Sequence, residues 1–191
     1  NIPATEYVQD GARFIRTTDI LDDGSLKDEG VYLPTEKVLD FILQEGDFLI
    51  SRSGTLGRAC IYRSDMGKCA YAGYLVRFVF QSNQKPKYFF YLTKTPEFEV
   101  WLNRSTIEAT IGNVNAEKYS NLIVPVPPPV EQKAIVAFLD REVSKIDQLI
   151  TAKERLLTLL DEKRRALITH AVTRGLDSAV PLRDSGVEWI G

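Results

Sequence analysis

The sequence is poor in the residues that enzymes and metal sites most often use. It has one histidine, His170, and two cysteines, Cys60 and Cys69. His170 falls near the end of an expected helix with no acidic or thiol partner at a suggestive spacing, so neither a histidine-based triad nor a metal centre finds support. It suits a surface or dipole-complementing position in the last turns. Two thiols are too few for a disulfide framework or a four-ligand zinc site and read as reduced cysteines. No apolar run approaches the ~20 residues needed to cross a bilayer, and no signal-peptide pattern opens the chain. A cytoplasmic protein is the expectation. No Gly-Lys-Ser/Thr phosphate loop and no dinucleotide fingerprint occurs, which argues against a bound nucleotide. Acidic pairs such as Glu97 with Glu99, or Asp22 with Asp23, read as solvated charges rather than hydrolytic machinery. No internal repeat or low-complexity tract is visible.

The most informative stretch is Pro125-Val126-Pro127-Pro128-Pro129-Val130-Glu131-Gln132. Dense proline favours an extended path without internal hydrogen bonds, and the last proline suits the first helical position, where a missing N–H costs nothing. Glu131 then sits in the first turn, beside the positive end of the helix dipole. From there Val136, Leu139, Val143, Ile146, Ile150, Lys153, Leu157, Leu160, Arg164, Leu167 and Ala171 recur at alternating intervals of three and four. This is a heptad seam interrupted only by Lys153 and Arg164. A second apolar line through Ile135, Phe138, Leu149, Leu156 and Leu159 widens the face. Arg174-Gly175 reads as the helix stop. At ~1.5 Å per residue the helix would span roughly 65 to 70 Å, longer than a small domain is wide. Much of the stripe would be exposed in a monomer.

Residues 1–124 read differently. Asp22-Asp23-Gly24 and Gln44-Glu45-Gly46-Asp47 are turn signals, while Phe48-Leu49-Ile50 and Tyr74 through Phe80 have strand composition. Pro86 is expected to open a helix through Tyr88, Phe89, Tyr91 and Leu92, and Pro96 another ending near Asn103. Short strands first and small helices later indicate an α+β class: a small mixed sheet domain followed by a long coiled-coil-forming helix. The expected divisions are 1–128 for the mixed domain, 129–175 for the helix and 176–191 for a linker.

Net charge is −2, yet it is unevenly distributed. Residues 1–51 carry four Lys or Arg against eleven Asp or Glu, and residues 52–118 carry ten against five. That asymmetry permits a basic patch on a near-neutral protein, or simply charges scattered over a sphere. Three loops are candidate contact elements. Ser51-Arg52-Ser53-Gly54-Thr55-Leu56-Gly57-Arg58 concentrates hydroxyls, glycines and two guanidinium groups, a set suited to phosphate oxygens and base edges. Phe14-Ile15-Arg16-Thr17-Thr18-Asp19-Ile20 is the second, or else a strand end with an exposed arginine. Thr110-Ile111-Gly112-Asn113-Val114-Asn115 is the third, its two amides fitting adenine or a plain turn. The aromatics Tyr71, Tyr74, Tyr88, Phe89, Phe90, Tyr91 and Trp101 fit core packing better than base stacking.

Several of these segments resemble the specificity subunit of type I restriction-modification enzymes. The similar stretches are Phe14 to Ile20, Glu45-Gly46-Asp47-Phe48-Leu49-Ile50-Ser51-Arg52-Ser53-Gly54-Thr55-Leu56-Gly57, Val124 to Ile135 across the proline-Glu-Gln junction, and Leu159 to Ile168. The junction followed by the helix is the most specific part. The resemblance implies a non-catalytic target recognition domain followed by a helical spacer. Such subunits usually carry two modules whose helices pair antiparallel and set the gap of a bipartite site. Asp184 to Gly191 is similar to the lead-in of a second recognition domain, and the opening of the first looks absent. The expectation is an excised piece or a natural half-subunit that dimerises. Double-stranded DNA, methyltransferase subunits and restriction subunits are the implied partners, with S-adenosylmethionine, ATP and Mg confined to those subunits.

On this reading Arg16, Arg52 and Arg58 are candidates for guanine or phosphate contacts. Thr17, Thr18, Ser51, Ser53 and Thr55 would make shorter contacts, and Asn113 and Asn115 would read adenine. Leu139, Val143, Ile146, Ile150, Leu157, Leu160 and Leu167 form the partner-helix face. Lys153 and Arg164 would meet acids such as Glu142, Glu154 or Asp161, or mark a methyltransferase docking point. The rival reading is a coiled-coil interaction adaptor without DNA binding, which leaves the arginine-glycine loop and the charge asymmetry without a role. An enzyme acting through Cys60 or an acidic pair is the third.

Overall fold

The computed structural model describes residues 2–107, 113–177, 179, 181, 184, 186 and 187. Two compact units emerge, residues 1–137 and residues 138–191.

In the first unit, six short strands form two three-stranded sheets. Strand β1 (Ala12–Ile15) pairs antiparallel with β2 (Tyr32–Leu33) and parallel with β5 (Cys69–Tyr71). Strand β3 (Phe48–Ser51) is the centre of the second sheet, antiparallel to β4 (Ala59–Ile61) and to β6 (Leu75–Phe78). All four residues of β3 are buried, because the strand has a core on each face. The period-two alternation sends Leu49 to one side, where it packs with Ile15, Cys60, Tyr62, Cys69 and Leu75 from both sheets. Phe48 and Ile50 go to the other side, against Ala59, Val76, Phe98, Val114 and Tyr119. A third cluster of Ala12, Phe14, Leu33, Val38 and Ala70 belongs to the first sheet. Leu49 is fully buried, and such a side chain contributes about 1.5–3 kcal/mol relative to exposure.

The helices follow the proline signals. Helix α1 (Pro86–Leu92) and helix α2 (Pro96–Ile107) both begin on proline. Helix α2 passes the expected end at Asn103 by four residues, since Asn103 sits on an exposed face where a weak helix former is tolerated. Helix α3 (Ala116–Ser120) is short. Mixed sheets plus helices agree with the α+β expectation.

Helix α4 (Pro129–Arg174) runs unbroken for 46 residues and ends on Gly175 at φ 72°, the left-handed cap its sequence indicates. Its first turn belongs to the first unit and is fixed there by Gln132, which is 1% exposed. Gln132 Oε1 accepts from the Lys85 N–H at 3.0 Å, and Nε2 donates to the Pro127 carbonyl at 2.9 Å. Nearby the Tyr88 hydroxyl donates to the Pro125 carbonyl at 3.0 Å. Side chains thus satisfy the Pro125 and Pro127 carbonyls, and the Gln132 N–H donates to the Pro128 carbonyl at 3.0 Å.

Within the second unit the seam is exposed: Ile146, Ile150, Leu157, Leu160 and Leu167 all show about half or more of their surface. Glu142 accepts from Arg141 and Lys145, and Asp161 pairs with Arg165 at 2.8 Å. Within the single chain these acids answer neighbours on the same helix. Among the described residues, no helix is long and apolar enough to cross a membrane.

Candidate nucleic-acid interface

The loop after β3 is built around Ser51. Its backbone N–H donates to the Arg58 carbonyl at 2.8 Å, and its carbonyl accepts from the Gly57 N–H at 3.2 Å and the Tyr119 hydroxyl at 2.9 Å. Its Oγ donates to the Thr55 carbonyl and accepts from the Arg58 N–H at 3.1 Å. Ser51 is fully buried, so the hydroxyl expected to face a groove instead ties the neck of the loop. Gly57, at φ +75°, closes the loop against α2, where a Cβ would lie 2.7 Å from Leu102 Cδ2. Burial pushes the Tyr119 hydroxyl well above the usual tyrosine range, which keeps it a neutral donor.

Beyond that neck, the three candidate loops meet. Thr55 Oγ1 donates to the Thr17 carbonyl at 3.1 Å, joining the first loop to the second. Ser53 and Asn113 form an isolated antiparallel bridge, and Arg52 Nε donates to Asn113 Oδ1 at 3.3 Å, joining the first to the third. The Arg52 N–H also donates to the Tyr74 carbonyl at 2.9 Å, which adds the turn before β6. Arg16, Thr17, Arg52, Ser53, Thr55 and Asn113 are half-buried here, and Thr18 and Gly54 are exposed. Thr110, Ile111 and Gly112 of the third loop lie outside the described residues.

The arginines differ in what holds them. Arg16 meets the buried Asp19 carboxylate through Nε at 3.0 Å and Nη2 at 2.8 Å, which raises its affinity for its proton further. Arg58 pairs with Asp22 at 2.8 Å and donates to the Ile20 carbonyl at 3.2 Å, linking its strand to the second loop. Asn115 caps α3: its Oδ1 accepts from the Lys118 N–H at 2.9 Å. That is a sufficient structural reason for an asparagine there.

Two residues near this surface escaped the sequence reading. Tyr74, grouped with core aromatics, is 47% exposed at the composite edge, and only the preceding Gly73 hints at a turn. Lys94 lies near Asp22, Asp23 and Arg58, its Nζ 5.0 Å from the Phe90 ring centroid; burial, more than Arg58, lowers its pKa. No local motif marks it, because α1 only brings it there through packing.

Chemistry beyond binding finds little here. Among the described residues no group of three or more His, Cys, Asp or Glu is placed to hold a metal. Cys60 is buried and its thiol is pushed up to about 12, the opposite of an activated nucleophile. A cleft of about 690 Å³ beside the second sheet is lined by Phe78, Phe80, Phe89, Trp101 and Tyr119, with Glu97 its one ionisable acid. It offers no cation to a phosphate. What the loop surface presents is a set of guanidinium, hydroxyl and amide groups on a rigid sheet end, the chemistry of groove recognition.

A family model described as the type I restriction modification DNA specificity domain matches residues 4–158, which include all three loops and the first two-thirds of α4. The chain belongs to this family. Among curated specificity subunits it is 25% identical over 104 residues to that of the type I restriction enzyme StySPI from Salmonella potsdam. To that of EcoBI from Escherichia coli it is 28% identical over 93 residues. These matches cover 54% and 49% of this chain, and the chain spans only about a fifth of either relative, 22% and 19%. One solved structure from work on assembly and conformational transition of the type I R-M system aligns with a TM-score of 0.71 at 20% identity. It covers 92% of this chain and 42% of that one. The HsdS subunit of Thermoanaerobacter tengcongensis aligns with a TM-score of 0.63 at 19% identity, covering 92% and 41%. At those identities the likeness concerns the fold. The specificity domain is thus a mixed-sheet unit with the start of a long helix clamped to it.

Proposed function

We propose that this chain recognises a DNA sequence as the specificity element of a type I restriction-modification system, without catalysing a reaction itself. The single observation carrying the reading is the convergence of Arg16, Thr17, Arg52, Ser53, Thr55 and Asn113 onto one end of the second sheet, in a member of the specificity family. Side chains on a packed sheet end are held well enough to discriminate base edges, and Lys and Arg around them supply salt-sensitive affinity. Methyl transfer, with its S-adenosylmethionine, and ATP- and Mg-dependent cleavage belong to separate methyltransferase and restriction subunits. The setting in this reading is the cytoplasm.

The apolar stripe from Leu139 through Leu167, exposed from Val143 onward, pairs with another helix of the same kind, from a second copy or from a further module of a longer polypeptide. Two antiparallel copies would impose their two-fold symmetry on the DNA and select an interrupted palindrome. An adaptor without DNA binding predicts a different outcome. Duplexes retained from a random pool by this chain, with its methyltransferase partner, should share a motif. Binding should weaken with salt at a log-log slope of about −3 to −5 if three to five phosphates are neutralised. A flat salt response and an unenriched pool would refute DNA recognition.

A further inference from the structure

Six arginines stand in the strands and loops before α1, and four of them pair with carboxylates. Arg13 donates to the Lys27 carbonyl. Arg16, Arg58, Arg63 and Arg77 pair with Asp19, Asp22, Asp65 and Asp47 at 2.8 to 3.1 Å. Like Arg13, Arg52 has a neutral partner, and it is the one of the two that stands in the candidate loops. Its Nε donates to Asn113 Oδ1 at 3.3 Å, and among the described residues no carboxylate pairs with it. A neutral amide can hold a guanidinium in one orientation without cancelling its charge, whereas a carboxylate would do both.

The backbone is held just as firmly. The Arg52 N–H donates to the Tyr74 carbonyl, and its carbonyl accepts from the Val114 N–H, both at 2.9 Å. Val114 is fully buried in the cluster containing Phe48 and Ile50. Arg52 is therefore anchored at its main chain from both sides and at Nε, and among the described residues its terminal Nη groups have no hydrogen-bond partner, which makes them the working fork. Such a fork matches the N7 and O6 acceptors of guanine, the commonest bidentate arginine contact. Asn113 is correspondingly diverted. Reading adenine requires Oδ1 to accept from N6 while Nδ2 donates to N7, but Oδ1 faces Arg52 Nε.

We propose that Asn113 is a positioning residue for Arg52, and that Arg52 reads a guanine in this chain's part of the target. This rests on the DNA-recognition reading above. Holding the fork before binding removes part of the ordering cost that a free arginine would incur on the DNA.

The test uses the 191-residue chain and a duplex enriched from a random pool, with 7-deazaguanine placed at each guanine in turn. That analogue lacks only the N7 acceptor. At one guanine the unmodified chain should lose affinity by several-fold, part of the roughly 5- to 150-fold that a whole bidentate pair discriminates, because the O6 contact is kept. Arg52→Ala should bind more weakly and lose sensitivity at that guanine. Asn113→Ala should lose the same sensitivity, and the double variant should bind no worse than Arg52→Ala. The melting temperature and salt slope of Asn113→Ala should stay close to those of the parent. Persistent sensitivity in Asn113→Ala, additive losses, or a changed preference at an A·T pair would overturn the positioning role. So would a uniform loss at every base accompanied by a lowered melting temperature. A parent chain that enriches no motif takes down the functional reading itself, and this inference with it.

Discussion

Replacing Gln132 should loosen the start of α4 far more than its location in a helix suggests. The side chain is 1% exposed and spans two backbone groups that no regular element serves, the Lys85 N–H at 3.0 Å and the Pro127 carbonyl at 2.9 Å. Truncation to alanine leaves both unpaired at a cost of about 1–3 kcal/mol each when fully buried. Lys85 is exposed and Pro127 only half-buried, so water recovers part of that loss, and a net of about 2–3 kcal/mol follows. For a unit of this size each kcal/mol moves the melting midpoint by roughly 2–4 °C, so Gln132→Ala should melt about 4–12 °C lower. Gln132→Met keeps most of the volume but neither hydrogen bond, and should fall nearly as far. Near-UV circular dichroism during heating and urea denaturation both read the transition. Gln148→Ala, on an exposed turn of the same helix, is the control. A Gln132→Ala midpoint matching that control, or a Gln132→Met midpoint matching the parent, would sink the clamp argument.

Other consequences are equally direct. Gly57→Ala forces a Cβ to 2.7 Å from Leu102 at a positive φ, and should destabilise by about 2–4 kcal/mol in urea unfolding. Cys60 should resist thiol reagents at pH 8 until the chain unfolds. Because its folded pKa is raised above the ordinary thiol value of 9.0, the folded state retains the proton that the unfolded state releases, and the Cys60 contribution to stability declines as pH rises through 9. Glu45 accepts from both the hydroxyl and the N–H of Ser64, which lowers its pKa below the ordinary value. Ser64→Ala should raise its NMR-detected titration midpoint; in the parent, the contribution is present above the unfolded pKa and lost as pH falls through the folded one. Leu157→Glu with Leu160→Glu should abolish any self-association seen by sedimentation at high micromolar concentration while leaving helicity intact, since both side chains are exposed in the single chain.

Local pattern carried much of the architecture. Proline at the first helical position marks α1, α2 and α4, and Gly175 ends α4, because those signals act within a few residues of where they stand. Strands β3 and β6 were legible from composition, but β2 and β5 are too short to announce themselves, and the parallel partnership of β1 with β5 joins residues more than fifty positions apart. The site divided along similar lines. Loop residues could be nominated from side-chain chemistry alone, whereas the Thr55–Thr17, Arg52–Asn113 and Arg52–Tyr74 links join segments far apart in the chain. Ser51 and Asn115 show the converse, since a hydroxyl or amide looks the same in sequence whether it faces a groove or satisfies its own backbone.

By itself, then, the sequence determined where helices start and stop, that one of them carries a long apolar seam, and which family the loops belong to. Those features depend on neighbours a few residues apart, or on motifs read in order. Only the tertiary structure decided which polar side chains remain available. Hydrogen-bond partners are allotted by packing across the two sheets, and that allotment commits four arginines to carboxylates and leaves Arg52, in the loops, held by a neutral amide.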